Sequence, residues 1–153
     1  MNDIKVMNHA ADNIRILAAA SVEKAKSGHP GGAMGGADFI NVLYSEYLNY
    51  DPQNPTWVGR DRFYLDPGHM APMLYSQLAL IGKYSLEELA QLRQWGSPTT
   101  GHPEFEVERG VENTSGPLGQ GHTFAVGAAI AAKFLAAKTG NPTFAKETIY
   151  AYI

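Results

Sequence analysis

The amino-acid sequence predicts an α/β fold in which helices flank a parallel sheet. Two short segments, 62–65 and 148–153, are rich in aromatic and β-branched residues, which favours strands. The segments before and between them carry apolar residues at helical spacing. Strands joined by long helical crossovers pair in parallel, because antiparallel neighbours need only a short turn. No internal repeat or linker divides the chain, so one domain is expected.

The first helix is predicted over residues 4–26, where apolar residues recur every three to four positions. Gly28 follows it and is expected to end it. The next stretch, SGHPGGAMGGAD at 27–38, contains one proline and five glycines, a composition typical of loops. A second helix is therefore expected to begin near Gly35 and to run to Leu48.

After the 62–65 strand, a turn at 66–69 opens an apolar helix. A short helix is expected to begin at Ser85, because Ser85 and Glu88 have the spacing of a capping box. Residues 95–121 lack periodicity, and a loop of that length is more often functional than idle. The Ala-rich segment 122–138 predicts a helix with small side chains for close packing, and the 148–153 strand is expected to be buried.

Composition excludes several functional classes. The 153 residues are 44% hydrophobic and 18% charged, with a net charge of −3 and no basic cluster for nucleic acid. There are no cysteines, which excludes disulfides, thiolate nucleophiles and cysteine-based zinc sites. Asp3 and Asp12 interrupt the amino-terminal stretch, so no signal peptide is predicted. The apolar runs are shorter than a membrane span. The lack of cysteines fits a reducing compartment, and a cytoplasmic location is expected.

Four of the five histidines directly follow a glycine. His29, His69 and His102 lie in loops rich in glycine and proline or at the start of a helix. No two histidines have the local spacing of a zinc site, so zinc is disfavoured. Each could be a turn residue bonded to nearby backbone, or the three could share a ligand site. His69 follows a strand and opens a helix, which favours a phosphate contact.

The segment SGPLGQG at 115–121 is a weaker signal. It is neither a dinucleotide fingerprint nor a P-loop. Its glycine amides precede a long helix and could bind an anion or lie against a flat ring. A simple helix-entry loop remains an equal alternative.

Four strings, taken together, resemble transketolase. They are SGHPGGAMGGAD at 27–38, FYLDPGHMAPMLYS at 63–76, GHPE at 101–104 and ENTSGPLGQG at 112–121. They occur in the family's order and spacing, and the resemblance covers essentially the whole chain. It implies a partial thiamine-diphosphate-binding fold, with residues 1–153 as the amino-terminal part of the diphosphate-binding domain, incomplete at its carboxyl end.

The resemblance also implies roles for individual residues. His29 matches a catalytic histidine that faces the substrate and the reactive thiazolium carbon, and His102 matches one that binds the terminal hydroxyl of the donor sugar. His69 matches a histidine that contacts the cofactor diphosphate. The segment expected to pack along the cofactor comprises Gly116, Pro117 and Leu118.

Two further positions carry narrower expectations. Asp38 stands where the family has a supporting acid, and we do not expect it to be catalytic. His122 stands where many members have an apolar residue, and it is expected to be a surface or helix-capping residue.

The resemblance implies thiamine diphosphate and Mg²⁺ as cofactors. It places the Gly-Asp-Gly metal motif beyond Ile153, so no metal ligand is assigned within the chain. The remaining transketolase domains or a complementary chain are expected as partners, together with a homodimeric assembly and sugar-phosphate substrates. The isolated 153-residue chain is accordingly expected to be inactive and only marginally stable.

The implied activity is transfer of a two-carbon ketol unit between sugar phosphates. Histidines suit this chemistry, because they donate and accept protons near neutral pH. A deoxyxylulose-phosphate synthase or a dihydroxyacetone synthase is an alternative, although GHPE followed by SGPLGQG favours transketolase. A shortened, non-catalytic paralogue acting as an interaction module is the alternative from another class.

Overall fold

The computed structural model describes residues 2–153 and divides the chain into two compact units. The first unit comprises the chain up to Tyr47 together with His69–Pro103, and the second comprises Leu48–Gly68 together with Glu104–Ile153. Each unit draws on two separate stretches of the chain.

Helices build the first unit. They are α1 (Ile4–Ala25), α2 (Pro30–Gly35), α3 (Ala37–Val42), α4 (Ala71–Leu80) and α5 (Leu86–Leu89). A π-helical turn, Leu43–Tyr47, follows α3, and a 3₁₀ turn, Gly68–Met70, leads into α4. Helix α1 packs against α2, α3 and α4, and its buried stripe has the helical spacing seen in the sequence. Ser85 is the N-cap of α5 and forms both hydrogen bonds of the predicted capping box with Glu88.

Two predictions for this unit are wrong in detail. Residues 30–35 are helical rather than loop, since Pro30 suits a first helical turn and small residues allow close packing. A Cβ on Gly32 would lie 3.0 Å from Met70, so the glycine permits the approach of α4. The residue that ends α1 is Lys26, in the left-handed conformation with φ 51°, rather than Gly28.

The second unit contains the sheet. Strand β1 (Arg62–Leu65) pairs in parallel with β2 (Ile149–Tyr152), with Arg62 opposite Ile149. Helix α6 (Gln120–Thr139) packs against both strands, and 3₁₀ turns occupy Val107–Arg109 and Pro142–Ala145. The parallel α/β fold class is therefore confirmed. The buried residues of α6 are small, as predicted: Gly121, Ala125 and Ala132.

The strand predicted at 148–153 is confirmed as β2, but the expectation that it is buried is wrong. Three of the four β1 residues are buried, whereas β2 is half-buried and Ala151 is exposed. Within residues 2–153, β2 pairs with β1 alone, so its other edge has no neighbouring strand. Among the same residues, no helix combines the length and apolar character needed to cross a bilayer.

Candidate active site

The first unit brings two of the predicted histidines into contact. His29 precedes α2 in an extended conformation and is exposed, and His69 lies in the 3₁₀ turn before α4. Their ring centroids are 4.9 Å apart, with one ring edge-on to the other at 64°. The turn chemistry that kept these residues out of regular helix therefore places two imidazoles side by side.

His102 joins this pair. Partial removal from water, followed by the positive charges of Arg93, His69 and His29, lowers the pKa of His102 below its ordinary value. The neutral imidazole is consequently favoured at neutral pH, and a neutral ring can both accept and donate a proton. The structure thus groups the three histidines, which we call the histidine cluster.

Arg93 organises the chain around the histidine cluster, and sequence reasoning missed it. Its backbone is left-handed, with φ 62°, and its N–H donates to the Thr99 carbonyl at 2.9 Å. Its guanidinium donates to Ser27 Oγ at 2.9 Å, two residues before His29. A Cβ on Gly101 would lie 3.0 Å from Arg93 Nε, so the glycine before His102 makes room for this side chain. A positive-φ arginine leaves no local sequence signal.

The predicted cofactor segment lies in the second unit, in the loop that enters α6. Pro117 and Leu118 are exposed, and the Leu118 side chain is an apolar group at 71% exposure. A Cβ on Gly116 would meet no atom of residues 2–153 within 4 Å. Protein packing therefore gives no reason for a glycine there, and the open apolar surface suits contact with a flat ring.

The loop has an anchor that sequence reasoning also missed. Asp66 directly follows β1 and is only 4% exposed. Its carboxylate accepts the Gly121 amide at 2.6 Å and the Gly119 amide at 3.0 and 3.1 Å. The Nδ1 atom of His122 lies 3.2 Å from Asp66 Oδ2.

Opposing effects act on the pKa of Asp66. Burial raises it, but the hydrogen bonds from His122, Gly121 and Gly119 outweigh burial and hold the pKa below its ordinary value. The carboxylate therefore stays ionised at neutral pH. His122 lies in the first turn of α6 with a side chain that is 41% exposed, and it is in addition the side-chain partner of Asp66.

Asp38, the expected supporting acid, is exposed on α3. It forms an ion pair with Arg15 of α1, which also pairs with Asp12 at 2.8 Å. Such exposed pairs contribute little to stability. For metals, no group of three or more His, Asp or Glu side chains within residues 2–153 is arranged to hold an ion.

Comparison with known proteins identifies the family. A family model described as transketolase, thiamine diphosphate binding domain, matches residues 6–153. The chain belongs to the transketolase family. Transketolase-1 of Arabidopsis thaliana chloroplasts is 50% identical over 142 residues, covering 92% of this chain and 19% of that protein. Transketolase of Halalkalibacterium halodurans is 54% identical over 129 residues, covering 84% of this chain and 19% of that one.

Solved transketolase structures agree. Transketolase from Leishmania mexicana superposes with a TM-score of 0.81 at 45% identity, covering 95% of this chain and 22% of that one. A Pichia stipitis transketolase in complex with sedoheptulose 7-phosphate superposes with a TM-score of 0.80 at 42% identity, covering 86% of this chain and 20% of that one. This chain thus spans about a fifth of the length of the relatives it matches.

These comparisons favour transketolase over the two related synthases considered from the sequence. Each of the four relatives described is a transketolase by name. The matched domain is one that binds thiamine diphosphate. Residues 6–153 therefore correspond to the thiamine diphosphate binding domain of the transketolase family.

Proposed function

We propose that this chain acts as part of a transketolase that transfers a two-carbon ketol unit between sugar phosphates with thiamine diphosphate. The observation that carries the proposal is the histidine cluster, in which the His29 and His69 rings lie 4.9 Å apart and their charges help to lower the pKa of His102. Family membership supplies the reaction class. The sugar-phosphate complex of the Pichia relative supports the substrate class.

The chain's own residues would supply positioning and proton transfer. Thiamine diphosphate, when bound, supplies the carbanion chemistry. We propose that His29 holds and moves a proton at the hydroxyl and carbonyl oxygens of the substrate. We propose that the neutral His102 ring accepts a hydrogen bond from the terminal hydroxyl of the donor sugar.

The cofactor residues are proposed on the same basis. His69 would donate a hydrogen bond to the diphosphate, because it precedes α4, where free backbone N–H groups also favour an anion. Gly116, Pro117 and Leu118 would pack along the cofactor, which their openness and apolar character support.

Further parts of the proposal concern the assembly. Mg²⁺ would accompany the diphosphate, held by oxygen ligands outside the residues assigned here. The working form would be a homodimer that includes the remaining transketolase domains or a complementary chain. It would act in the cytoplasm, in the pentose phosphate pathway of carbohydrate metabolism.

An assay with matched variants tests the reaction. The protein is purified as it occurs in the cell, with any chains that copurify, and is given xylulose 5-phosphate, ribose 5-phosphate, thiamine diphosphate and Mg²⁺. His29→Gln and His102→Gln are expected to lower kcat about 100-fold or more. His9→Gln alters an exposed histidine of α1 and is expected to leave the rate unchanged.

Two results would count against the proposal. Absence of ketol transfer by the wild-type protein would favour a non-catalytic interaction module. Equal rates for the His9, His29 and His102 variants would remove the histidine cluster from the reaction.

A further inference from the structure

The residue that joins strand β1 to the cofactor loop is Asp66. Its side chain accepts the amides of Gly119 and Gly121, and its carbonyl accepts the Ser115 hydroxyl at 2.6 Å. These bonds lie on both sides of the 116–118 segment. One residue therefore holds the segment at each end.

Backbone contacts also hold this segment, since the Pro117 carbonyl accepts the Gln120 amide at 3.3 Å and a Cβ on Gly68 would lie 3.0 Å from the Gly116 nitrogen. Its side chains add little, because Pro117 and Leu118 are exposed and a Cβ on Gly116 would meet no atom of residues 2–153 within 4 Å. The residue that caps α6 is Gly119, with φ +96°, and a glycine has no side chain to accept the first helical amides. Asp66 replaces the missing cap from 53 residues away.

The approach between Asp66 and the helix is also unusually close. A Cβ on Gly121 would lie 2.3 Å from the Cα of Asp66, inside any allowed contact. Only glycine at 121 lets its amide reach Asp66 Oδ1 at 2.6 Å. A shift of Asp66 would therefore also move the first turn of α6.

We propose that Asp66 is a positioning residue that sets the conformation in which Gly116, Pro117 and Leu118 meet thiamine diphosphate. His122 is its side-chain partner, and its Nδ1 atom lies at the oxygen that Gly121 leaves free. This inference rests on the proposed function, because it assumes that the 116–118 segment contacts the cofactor. It adds a role for two residues that the resemblance does not assign.

Asp66→Asn is the decisive variant, since it keeps the shape of the side chain but removes the charge and one acceptor oxygen. Asp61→Asn is its matched control. Asp61 lies in the same unit, is also buried, and accepts the amides of Thr148 at 2.6 Å and Asn49 at 2.9 Å, away from the cofactor loop. Both variants lose charge-assisted bonds to two backbone amides.

Two measurements separate positioning from general stability. Asp66→Asn is expected to raise the Kd for thiamine diphosphate with Mg²⁺ about tenfold, with kcat at saturating cofactor nearly unchanged. Hydrogen exchange at the amides of Gly119 and Gly121 is expected to accelerate by a similar factor without cofactor. Asp61→Asn is expected to leave both the Kd and these two exchange rates within about twofold.

A milder variant covers the case in which Asp66→Asn does not fold. His122→Ala removes the imidazole that partners the Asp66 carboxylate, and the His122 side chain is already 41% exposed. It is expected to raise the Kd about threefold and to accelerate the same two amides, since a hydrogen bond to a charged group is lost.

Each outcome decides the inference. Unchanged exchange at Gly119 and Gly121 in the Asp66 or His122 variant would overturn it, as would faster exchange with an unchanged Kd. An equal rise in Kd for Asp61→Asn would reduce the role of Asp66 to fold stability. If wild-type protein binds no thiamine diphosphate, the proposed function fails, while the exchange rates still report whether Asp66 orders the loop.

Discussion

Replacing Gly121 by alanine should strongly destabilise the second unit. A Cβ at this position would lie 2.3 Å from Asp66 Cα and 2.7 Å from both Asp66 N and Leu65 O. All three are backbone atoms at the end of β1, so no side chain can rotate away. Gly121 has no positive φ, and the penalty therefore arises from the contact rather than from the backbone conformation.

The magnitude follows from these distances. Non-bonded carbon atoms prefer a separation of about 3.5–4.0 Å, so α6 and β1 must part by roughly 1 Å or more. Overpacking of this kind typically costs about 1–3 kcal/mol. The same movement lengthens the 2.6 Å bond from Gly121 to Asp66, and loss of a bond to a charged group costs about 1.5–3 kcal/mol. A loss of about 4 kcal/mol in the free energy of unfolding is expected.

The matched control is Gly127→Ala in the same helix. A Cβ there would meet no atom of residues 2–153 within 4 Å, and Gly127 is exposed. Alanine favours a helix over glycine, so this variant is expected to gain about 0.5–1 kcal/mol. Urea unfolding followed by circular dichroism measures both changes, and Gly121→Ala is made in the stabilised Gly127→Ala background to keep the folded state populated.

Two outcomes would contradict the expected packing of α6 against β1. If Gly121→Ala lowers the free energy of unfolding by less than about 1 kcal/mol, the close approach of α6 to Asp66 is not tight in solution. A loss of similar size in Gly127→Ala would instead mean that α6 tolerates no added methyl group anywhere. Only a difference between the two glycine variants supports a close approach of α6 to Asp66.

Three further outcomes are expected. Gly116→Ala should leave the urea midpoint unchanged, because its Cβ meets open space, yet raise the Kd for thiamine diphosphate in a fluorescence titration. Folding lowers the pKa of His102, so the unfolded chain binds a proton more readily and this residue's contribution to stability falls as the pH drops below 6.5. An NMR titration of His102 should show a midpoint under 6.5, and Arg93→Gln should raise that midpoint part of the way toward 6.5. Ser85→Ala should cost about 1 kcal/mol in urea unfolding, because it removes the cap that Glu88 completes.

Local signals were sufficient to predict much of the fold. The bounds of β1 coincide with the predicted 62–65 segment, because its composition and flanking turn are both local. The N-cap of α5 at Ser85 was predicted for the same reason, since a capping box spans four residues. Helix α1 differs from its prediction by one residue at its end.

Helix α2 could not be predicted this way. Glycine lowers helix propensity by about 1 kcal/mol per residue relative to alanine, so a segment with three glycines favours a loop. Tertiary packing reverses this preference. A Cβ on Gly36 would lie 2.3 Å from the Met73 sulfur, and one on Gly32 would lie 3.0 Å from Met70. These glycines allow helices to approach, and their partners lie more than thirty residues away.

The residues of the candidate site also differ in whether a local sequence pattern predicts them. Glycine before histidine is a local pattern, and it singled out the three residues that form the histidine cluster as well as His122. The pattern describes only how the backbone bends, so it does not distinguish a histidine that faces a ligand from one that faces a carboxylate. That distinction depends on Asp66, which is 56 residues from His122.

The sequence does contain a signal that points to Asp66. The residue that follows a parallel strand lies at the edge where α/β sheets bind ligands, and an aspartate buried there needs several donors. The glycine-rich segment 115–121 is a concentrated source of backbone donors in this sequence. A buried carboxylate that needs donors and a nearby loop with several free amides would therefore have paired Asp66 with Gly119 and Gly121. The same requirement explains the glycines, because a side chain at 121 would block the amide that the carboxylate needs.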